Sequence, residues 1–156
     1  RQARQALVHK RLPMALNTSG QLIMGGGGDS RQAQALFEEA IRVDPTLPAS
    51  YLNLGLWHRQ RGDVPAACAA LDAYLERLTP SQHGYSARDA RGLALSLDFT
   101  ARAAFDQGRP AEALARLRQL QENQRKGWLP SINPRGLEEQ IRRLEEQTPR
   151  PATGGG

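Results

Sequence analysis

Apolar residues recur through the middle of the chain at intervals of three and four, the spacing that places side chains on one face of an α-helix. Residues 49–61 form one such run, and residues 64–78 form the next. Gly62 separates them, where a residue with positive φ ends a helix readily, and Asp63 follows as a cap for the second helix. The pattern therefore predicts a helix hairpin over residues 49–78. The residues expected to pack inside it are Tyr51, Leu54, Gly55, His58, Ala67, Leu71, Tyr74 and Leu75.

The same hairpin pattern occurs twice more along the chain. Gly28 lies 34 residues before Gly62, and Gly108 lies 46 residues after it. The second interval exceeds the first by twelve, so we expect three copies of one helix–turn–helix unit with a twelve-residue insertion before the third. The insertion contains Ser86 three residues before Asp89, a spacing close to that of a capping box. We expect it to form a loop and then two additional turns of helix.

These copies resemble the tetratricopeptide repeat, a unit of 34 residues folded as two antiparallel helices. The middle copy matches best, although Tyr74 replaces the small residue that is usual in the family. The resemblance implies an all-α fold, a right-handed α-solenoid of about three such units with a capping helix at its C-terminal end. The matching positions of the middle copy are Tyr51, Leu54, Gly55, Gly62, Asp63, Ala67 and Leu71.

The chain can be divided on this basis. Its first residues resemble the end of the second helix of an earlier repeat. After the third copy, Asn133 and Pro134 form a favourable helix start, and one narrow apolar stripe follows, as expected of a helix that caps an array. The predicted segments are a basic N-terminal helix at 1–12, repeats at 13–46, 47–80 and 81–125 with an insertion at 81–93, a loop and capping helix at 126–147, and a disordered tail at 148–156.

Four consecutive glycines, residues 25–28, follow a short apolar run and precede a helix, an order that also occurs in phosphate-binding loops. Such a loop requires a lysine directly after its last glycine, and Asp29 stands there instead, where it would repel a phosphate. The run aligns with the turn at Gly62 but is one residue longer. We therefore interpret it as the turn of the first hairpin, with an engineered or spliced joint as the alternative.

Composition and charge limit the class of protein. Aromatic residues make up only 5% of the chain, which favours helices over strands. No apolar stretch approaches the roughly 18–20 residues that span a bilayer. The net charge is +5, and four of those charges lie in the first eleven residues, so the remainder is near neutral. We interpret the basic end as a solvated terminus, with an electrostatic docking arm as the alternative. Because the chain begins at Arg1, its compartment stays open between the cytoplasm and, for a processed product, the periplasm or envelope.

The sequence offers no convergent set of chemical groups. His9, His58 and His83 are expected on a terminal helix, an inner helix and a loop, without the spacing of metal ligands. The single cysteine, Cys68, lies among alanines and is expected to be a buried, unreactive thiol. The glutamate pairs at 38/39, 138/139 and 145/146 are adjacent in sequence, so their side chains point about 100° apart on a helix and do not form an acid/base pair across a substrate. We therefore expect no catalytic, metal-binding or cofactor-binding residues.

The resemblance does imply a binding surface, because the first helix of each tetratricopeptide unit lines the concave face of the array. An apolar floor beside Arg59 and Arg102 suits a helix or an extended segment with apolar anchors and acidic character. The alternative is that Leu52 and Leu56 pack on the neighbouring first helix. The third copy also places Leu95, Asp98 and Phe105 on this face. The predicted partner-binding residues are Leu52, Asn53, Leu56, Arg59, Gln60, Phe99, Arg102 and Asp106.

The function expected from the resemblance is a non-catalytic scaffold or adaptor that binds a protein partner in the concave groove. By analogy with the family, the adaptor would be a subunit of a larger bacterial assembly, such as the envelope machinery for pili or secretion. A nucleic-acid-binding helical repeat is disfavoured because the chain lacks base-stacking aromatics and a repeated basic stripe. A regulatory or dimerisation domain of a larger enzyme is the other alternative.

Overall fold

A computed structural model describes residues 2–129 and 132–148, with side chains described from residue 11 onward. The described residues form seven α-helices and no strand, which confirms the predicted all-α class. Of the predicted disordered tail, only Thr148 lies within the described residues, where it closes the last helix by donating its backbone N–H to the Leu144 carbonyl at 2.9 Å. The helices are α1 (Gln2–Gly25), α2 (Ser30–Val43), α3 (Pro48–Gln60), α4 (Val64–Arg77), α5 (Ala87–Asp106), α6 (Pro110–Arg125) and α7 (Pro134–Gln147).

The helices are grouped in two compact units. The first unit, Arg1–Leu78, contains α1 to α4, and the second unit, Thr79–Gly156, contains α5 to α7. Helices that are neighbours in sequence pack together within each unit: α1 with α2, α2 with α3 and α3 with α4 in the first, α5 with α6 and α6 with α7 in the second. Each unit is therefore a stack of helix hairpins, the arrangement of a helical-repeat protein.

The glycine run forms the turn of the first hairpin, with the extra residue predicted for it. Gly27 has a φ of +72°, as Gly62 (+74°) and Gly108 (+72°) have in the later turns. The residue after each glycine donates its N–H to a carbonyl five positions earlier, at 2.8 to 3.1 Å, which is the Schellman closure of a helix. In the later turns this residue, Asp63 or Arg109, is also the N-cap of the next helix. In the first turn Gly28 comes between Gly27 and the N-cap Asp29, whose carboxylate accepts the N–H of Arg31 at 2.9 Å.

Two helical glycines allow the hairpins of the first unit to pack closely. A β-carbon at Gly20 would lie 2.4 Å from the ring of Phe37, and one at Gly55 would lie 2.7 Å from the side chain of Leu71. Both separations are shorter than van der Waals contact, so the side chains of Phe37 and Leu71 occupy the space that a side chain on the facing helix would need. Phe37 and Leu71 are fully buried. Gly55 therefore packs inside the hairpin, as predicted.

The predicted boundary at residue 13 is not a helix boundary. The sequence suggested a separate basic helix over 1–12, but α1 continues through Pro13. Proline has no backbone N–H and removes one helix hydrogen bond, at a cost of about 3 kcal/mol. The Pro13 ring is fully buried, and this burial offsets part of the cost. The corresponding residue of the next repeat, Pro48, does begin a helix, α3, so the same residue type has two roles at equivalent positions.

The core of the first unit includes a residue that the sequence pattern did not indicate. Trp57 is 6% exposed and packs with Ala33 and Phe37. Its indole Nε1 donates to the carbonyl of Ser30 at 2.6 Å, which satisfies its polar atom. His58, which was expected in the core, is half-buried and lies edge-on to the Trp57 ring at 4.9 Å between centroids. Cys68 is likewise half-buried rather than buried.

In the second unit, helix caps place α5 and α7. Ser86 precedes α5 and accepts the N–H of Asp89 at 3.1 Å, and its hydroxyl donates to the Asp89 carboxylate at 2.8 Å, so Ser86 and Asp89 together cap the helix as their spacing predicted. Asn133 caps α7 in the same manner through the N–H of Arg135. Leu137 and Ile141 of α7 are buried, which anchors its apolar stripe. Both helices pack against α6, which is the central element of this unit.

Candidate functional site

Two of the predicted partner-binding residues are covered in the first unit. Leu52 is 8% exposed and Asn53 is 3% exposed, so neither is accessible to a partner in this structure. The burial of Leu52 agrees with the alternative interpretation, in which Leu52 and Leu56 pack on the neighbouring first helix, and Asn53 is buried as well. Leu56 is half-buried, and Arg59 and Gln60 are exposed at the end of α3. The accessible part of the predicted surface on this unit is therefore limited to Leu56, Arg59 and Gln60.

Asn53 is buried because it belongs to a ladder of polar side chains between α1 and α3. Its Nδ2 donates to Oδ1 of Asn17 at 3.0 Å, and its own Oδ1 accepts from Nε2 of Gln21 at 2.9 Å. Asn17 in turn donates to the hydroxyl of Ser50 at 2.8 Å. This ladder was not predicted from the sequence. A signal was present, because Asn17 and Gln21 lie one turn apart on α1, as Ser50 and Asn53 nearly do on α3.

The second unit has an open surface where the first is closed. Helices α5 and α7 both pack on α6 and leave a groove between them, with Leu117 of α6 in its floor. Two adjoining cavities of about 470 and 390 Å³ occupy this groove and share Asp98 and Gln140 in their walls. We call this surface the α5–α7 groove. Its α5 wall consists of Ala94, Leu95, Asp98, Ala101, Arg102, Phe105 and Asp106, and its α7 wall includes Gly136, Leu137, Gln140, Arg143, Leu144 and Gln147.

The groove contains part of the predicted site. Arg102 and Asp106 line it, together with Phe105, which is 44% exposed. Phe99 is half-buried and is not among the residues of its walls. Because α7 was expected only to cap the array, Leu144 was not predicted as a wall residue. The narrow apolar stripe of α7 was the available signal. It continues beyond the buried Ile141 to Leu144, which is only half-buried.

Charges of both signs lie along the groove. Arg102 Nε is 3.2 Å from the carboxylate of Asp98 one turn earlier on α5. Arg143 forms an ion pair with Glu139 on α7. Asp106 makes no ion pair with any described residue. Exposed pairs of this kind contribute at most about 1 kcal/mol each, so the apolar floor, rather than the charges, dominates what the groove can bind.

The described residues contain no group of three or more His, Cys, Asp or Glu side chains placed to hold a metal ion. Among the helices that the structure describes, none combines the length and the apolar character needed to cross a membrane.

Comparison with protein-family models gives a match to the model described as Tetratricopeptide repeat, over residues 25–83. The matched segment runs from the glycine turn through α2, α3 and α4 and into the start of the insertion. A comparison with curated proteins gives no match.

Proposed function

The chain belongs to the tetratricopeptide repeat family through residues 25–83, and from this premise we propose that it is an adaptor whose α5–α7 groove holds a segment of a partner protein. Tetratricopeptide repeats are generally protein–protein interaction modules, and domains built from them are typically non-catalytic scaffolds. Membership of this family implies that the chain is a helical-repeat scaffold for protein–protein interaction. The location of the binding surface and the kind of partner are the proposal.

The observation that supports the groove is an exposed aromatic residue on an apolar floor with a polar rim. Phe105 is 44% exposed and shares a cavity wall with Ala101, Leu117 and Leu144. Arg102 and other polar side chains surround this apolar strip. A buried apolar centre with a polar rim is the usual anatomy of a protein interface, and aromatic anchors contribute most of its binding energy. Phe105 is therefore the proposed anchor of the interaction.

The dimensions of the groove favour a helix or an extended segment as the occupant. Ala94 and Asp106, at its two ends, are twelve residues apart on α5, which corresponds to about 18 Å at 1.5 Å per residue. An amphipathic helix of three turns has this length and binds grooves through side chains one turn apart. Acidic character in the partner is a secondary feature, because Arg102 and Arg143 already have the carboxylates of Asp98 and Glu139 beside them.

We extend the proposal in two respects, the first by family analogy alone. The adaptor would act without catalysis as a subunit of a larger bacterial assembly of the envelope, pilus or secretion type. Leu56, Arg59 and Gln60 would form a separate contact surface on the first unit, because Leu56 is only half-buried and Arg59 and Gln60 are exposed on α3. A protein is preferred over a nucleic acid as partner because most of the net positive charge lies in the first eleven residues.

The proposal is tested by capture of partners from a bacterial extract with the purified chain and with the variant Phe105→Glu. The variant places a charge on the apolar floor at an exposed position, so the fold is retained, and we expect the partner's dissociation constant to rise about tenfold or more. Val64→Glu is the matched control, because Val64 is similarly exposed at 37% but lies on α4 of the first unit.

The two variants give distinct outcomes. A partner that binds the parent chain and Val64→Glu equally, and binds Phe105→Glu at least about tenfold more weakly, supports the groove. A partner that binds Phe105→Glu as tightly as the parent contradicts it. In that case Leu56→Glu, which alters the remaining surface of the first unit, determines whether the first unit binds the partner instead.

A further inference from the structure

A cavity of about 360 Å³ lies in the second unit where the insertion meets the loop after α6. Ligand pockets in proteins commonly have volumes of roughly 300–1,000 Å³, so this cavity is large enough to hold a side chain of a partner. Its walls include Tyr85, Ala90, Arg91 and Trp128. We call it the aromatic pocket. It adjoins one end of the α5–α7 groove, since Ala94 and Ile132 line both.

Gly84 of the insertion packs against Trp128, which lines the aromatic pocket. The backbone of Gly84 is paired with that of Ser81, with N–H···O distances of 2.9 and 3.1 Å in the two directions, and its φ is +93°. A β-carbon at Gly84 would lie 2.5 Å from Cδ1 of Trp128, so the indole packs directly on this glycine. Tyr85, the next residue, meets the Trp128 ring edge-on, with centroids 5.5 Å apart and planes at 89°.

Small residues leave the space in front of these rings empty. Ala87, Ala90 and Ala94 follow one another along α5 at intervals of three and four, and all three line the pocket. Aromatic rings prefer edge-to-face or offset neighbours at centroid separations of about 4.5–7 Å. Trp128 and Tyr85 already adopt this arrangement with each other, and the alanine floor leaves room for a third ring beside them.

The charged side chain in the described walls of the pocket is that of Arg91. His83 also lines the pocket, and these walls contain no carboxylate. Arg91 is exposed and makes no ion pair with any described residue. Lys126 lies 5.0 Å from the centre of the Trp128 ring, although Glu122 pairs with it at 2.9 Å. Burial raises the pKa of Tyr85, with Lys126 acting in the opposite direction and Asp89 in the same direction, so the phenol remains neutral near pH 7.

From this combination we infer that the aromatic pocket binds an aromatic side chain of an acidic peptide segment, with the ring against Trp128 and Tyr85 and a neighbouring carboxylate at Arg91. The charge complementarity follows from Arg91, which has no acidic partner among the described residues. The pocket is formed by the insertion and by the loop after α6, and not by the repeated positions of the hairpins. Its binding does not depend on whether the α5–α7 groove holds a partner.

The test uses the whole chain and the synthetic peptide acetyl-Glu-Glu-Phe-Glu-Glu-amide, followed by NMR of the tryptophan indole N–H signals. The chain has two tryptophans. Trp57 donates its indole N–H to Ser30 in the first unit and serves as an internal control, while Trp128 lies in the pocket. We expect the peptide to shift the Trp128 signal saturably and to leave the Trp57 signal in place.

Two altered peptides and two protein variants test the chemistry. Replacing the phenylalanine by alanine should weaken binding about tenfold. Replacing the glutamates by glutamines, or Arg91 by glutamate, should weaken it about fivefold or more. Arg88→Glu is the matched control, because Arg88 is an exposed arginine of α5 that does not line the pocket, and it should change binding by less than about twofold.

Several results would overturn the inference. One is a Trp128 signal that does not move with the glutamate–phenylalanine peptide. A second is an affinity for the glutamine peptide equal to that for the glutamate peptide, which would show that charge plays no role. A third is an equal loss of peptide affinity in Arg91→Glu and Arg88→Glu, which would indicate a diffuse electrostatic effect. Capture of a partner through Phe105 is unaffected by any of these results, so failure of the pocket and failure of the groove are distinguishable.

Discussion

Helices α3 and α5 each begin a helix hairpin, yet the faces predicted to bind a partner have different surroundings. On α3, Leu52 and Asn53 are buried in the first unit, where side chains of α1 complete the hydrogen bonds of Asn53. On α5, Asp98 and Arg102 border a groove, because α7 packs on α6 and leaves this face uncovered. Leu52 and Asp98, which are 46 residues apart as Gly62 and Gly108 are, thus contribute to packing in one unit and to an accessible surface in the other.

The difference shows that a repeat position determines which way a side chain points but not what lies in front of it. Asn53 points toward the neighbouring first helix, and Asn17 and Gln21 on that helix happen to match its amide. In the second unit, α7 has a single apolar stripe and reaches α6 through Leu137 and Ile141. Binding sites in this family therefore have to be located from exposure as well as from register.

The largest expected effect compares two phenylalanines. Phe37 is completely buried against Gly20 in the first unit, and Phe37→Ala should lower the free energy of unfolding by about 3–5 kcal/mol. Phe105→Ala removes a ring that is 44% exposed in the groove, and it should cost less than about 1 kcal/mol. Urea unfolding followed by circular dichroism measures both. Similar losses for the two variants would mean that the groove is part of the core.

Two turn glycines provide the next comparison. Gly84→Ala should lower the free energy of unfolding for two reasons. A φ of +93° costs an alanine about 1–2 kcal/mol, and the clash of its β-carbon with Trp128 costs about 1–3 kcal/mol. Gly62→Ala, in the first unit, has a φ of +74° but open space around the added carbon, so only the first cost applies. Gly84→Ala should also move the fluorescence of Trp128 to longer wavelength. An unchanged spectrum would contradict the packing of Trp128 on Gly84.

A smaller effect distinguishes the polar ladder from a binding surface. Asn53→Ala removes the partner of Oδ1 of Asn17 and of Nε2 of Gln21, and we expect a loss of about 1–3 kcal/mol in unfolding free energy. Gln60→Ala, at an exposed position of the same helix, should change stability by less than about 0.5 kcal/mol. Asn53→Ala should bind the partner as the parent does. A loss of binding at unchanged stability would return Asn53 to the binding surface.

The smallest effect concerns the attachment of α7. Arg118 of α6 pairs with Glu145 of α7 at 2.8 Å, but both side chains are largely exposed. Arg118→Ala should therefore lower stability by less than about 1 kcal/mol, while Ile141→Ala, which truncates a buried anchor, should cost about 2–5 kcal/mol. Thermal unfolding of both variants provides the measurement. A large loss from Arg118→Ala would show that the ion pair, and not the apolar stripe, holds the wall of the groove.

Helix ends were predictable because short-range chemistry sets them. Gly62 and Gly108 end helices through positive φ, and Ser86 and Asn133 cap helices through their side chains, all within a few residues of sequence. Pro13 was misread because its cost within a helix is offset by burial that no local pattern reveals.

The candidate site was predictable only in part. Arg102 and Asp106 were found because the repeat register places them on one face of α5. Leu52 and Asn53 were predicted on the binding surface but are buried, and the burial of Asn53 involves side chains of α1 more than thirty residues away. Leu144 was missed for the same kind of reason, since its role depends on the packing of α7 on α6.

Photo-crosslinking from position 105 tests the central claim most directly. A chain with p-benzoylphenylalanine in place of Phe105 keeps an aromatic ring on the floor of the groove, and a second chain with the same group at Val64 is the control. We predict that irradiation joins the captured partner to position 105 and not to position 64. A partner that crosslinks from position 64 and not from position 105 would contradict the assignment of the groove as the binding surface.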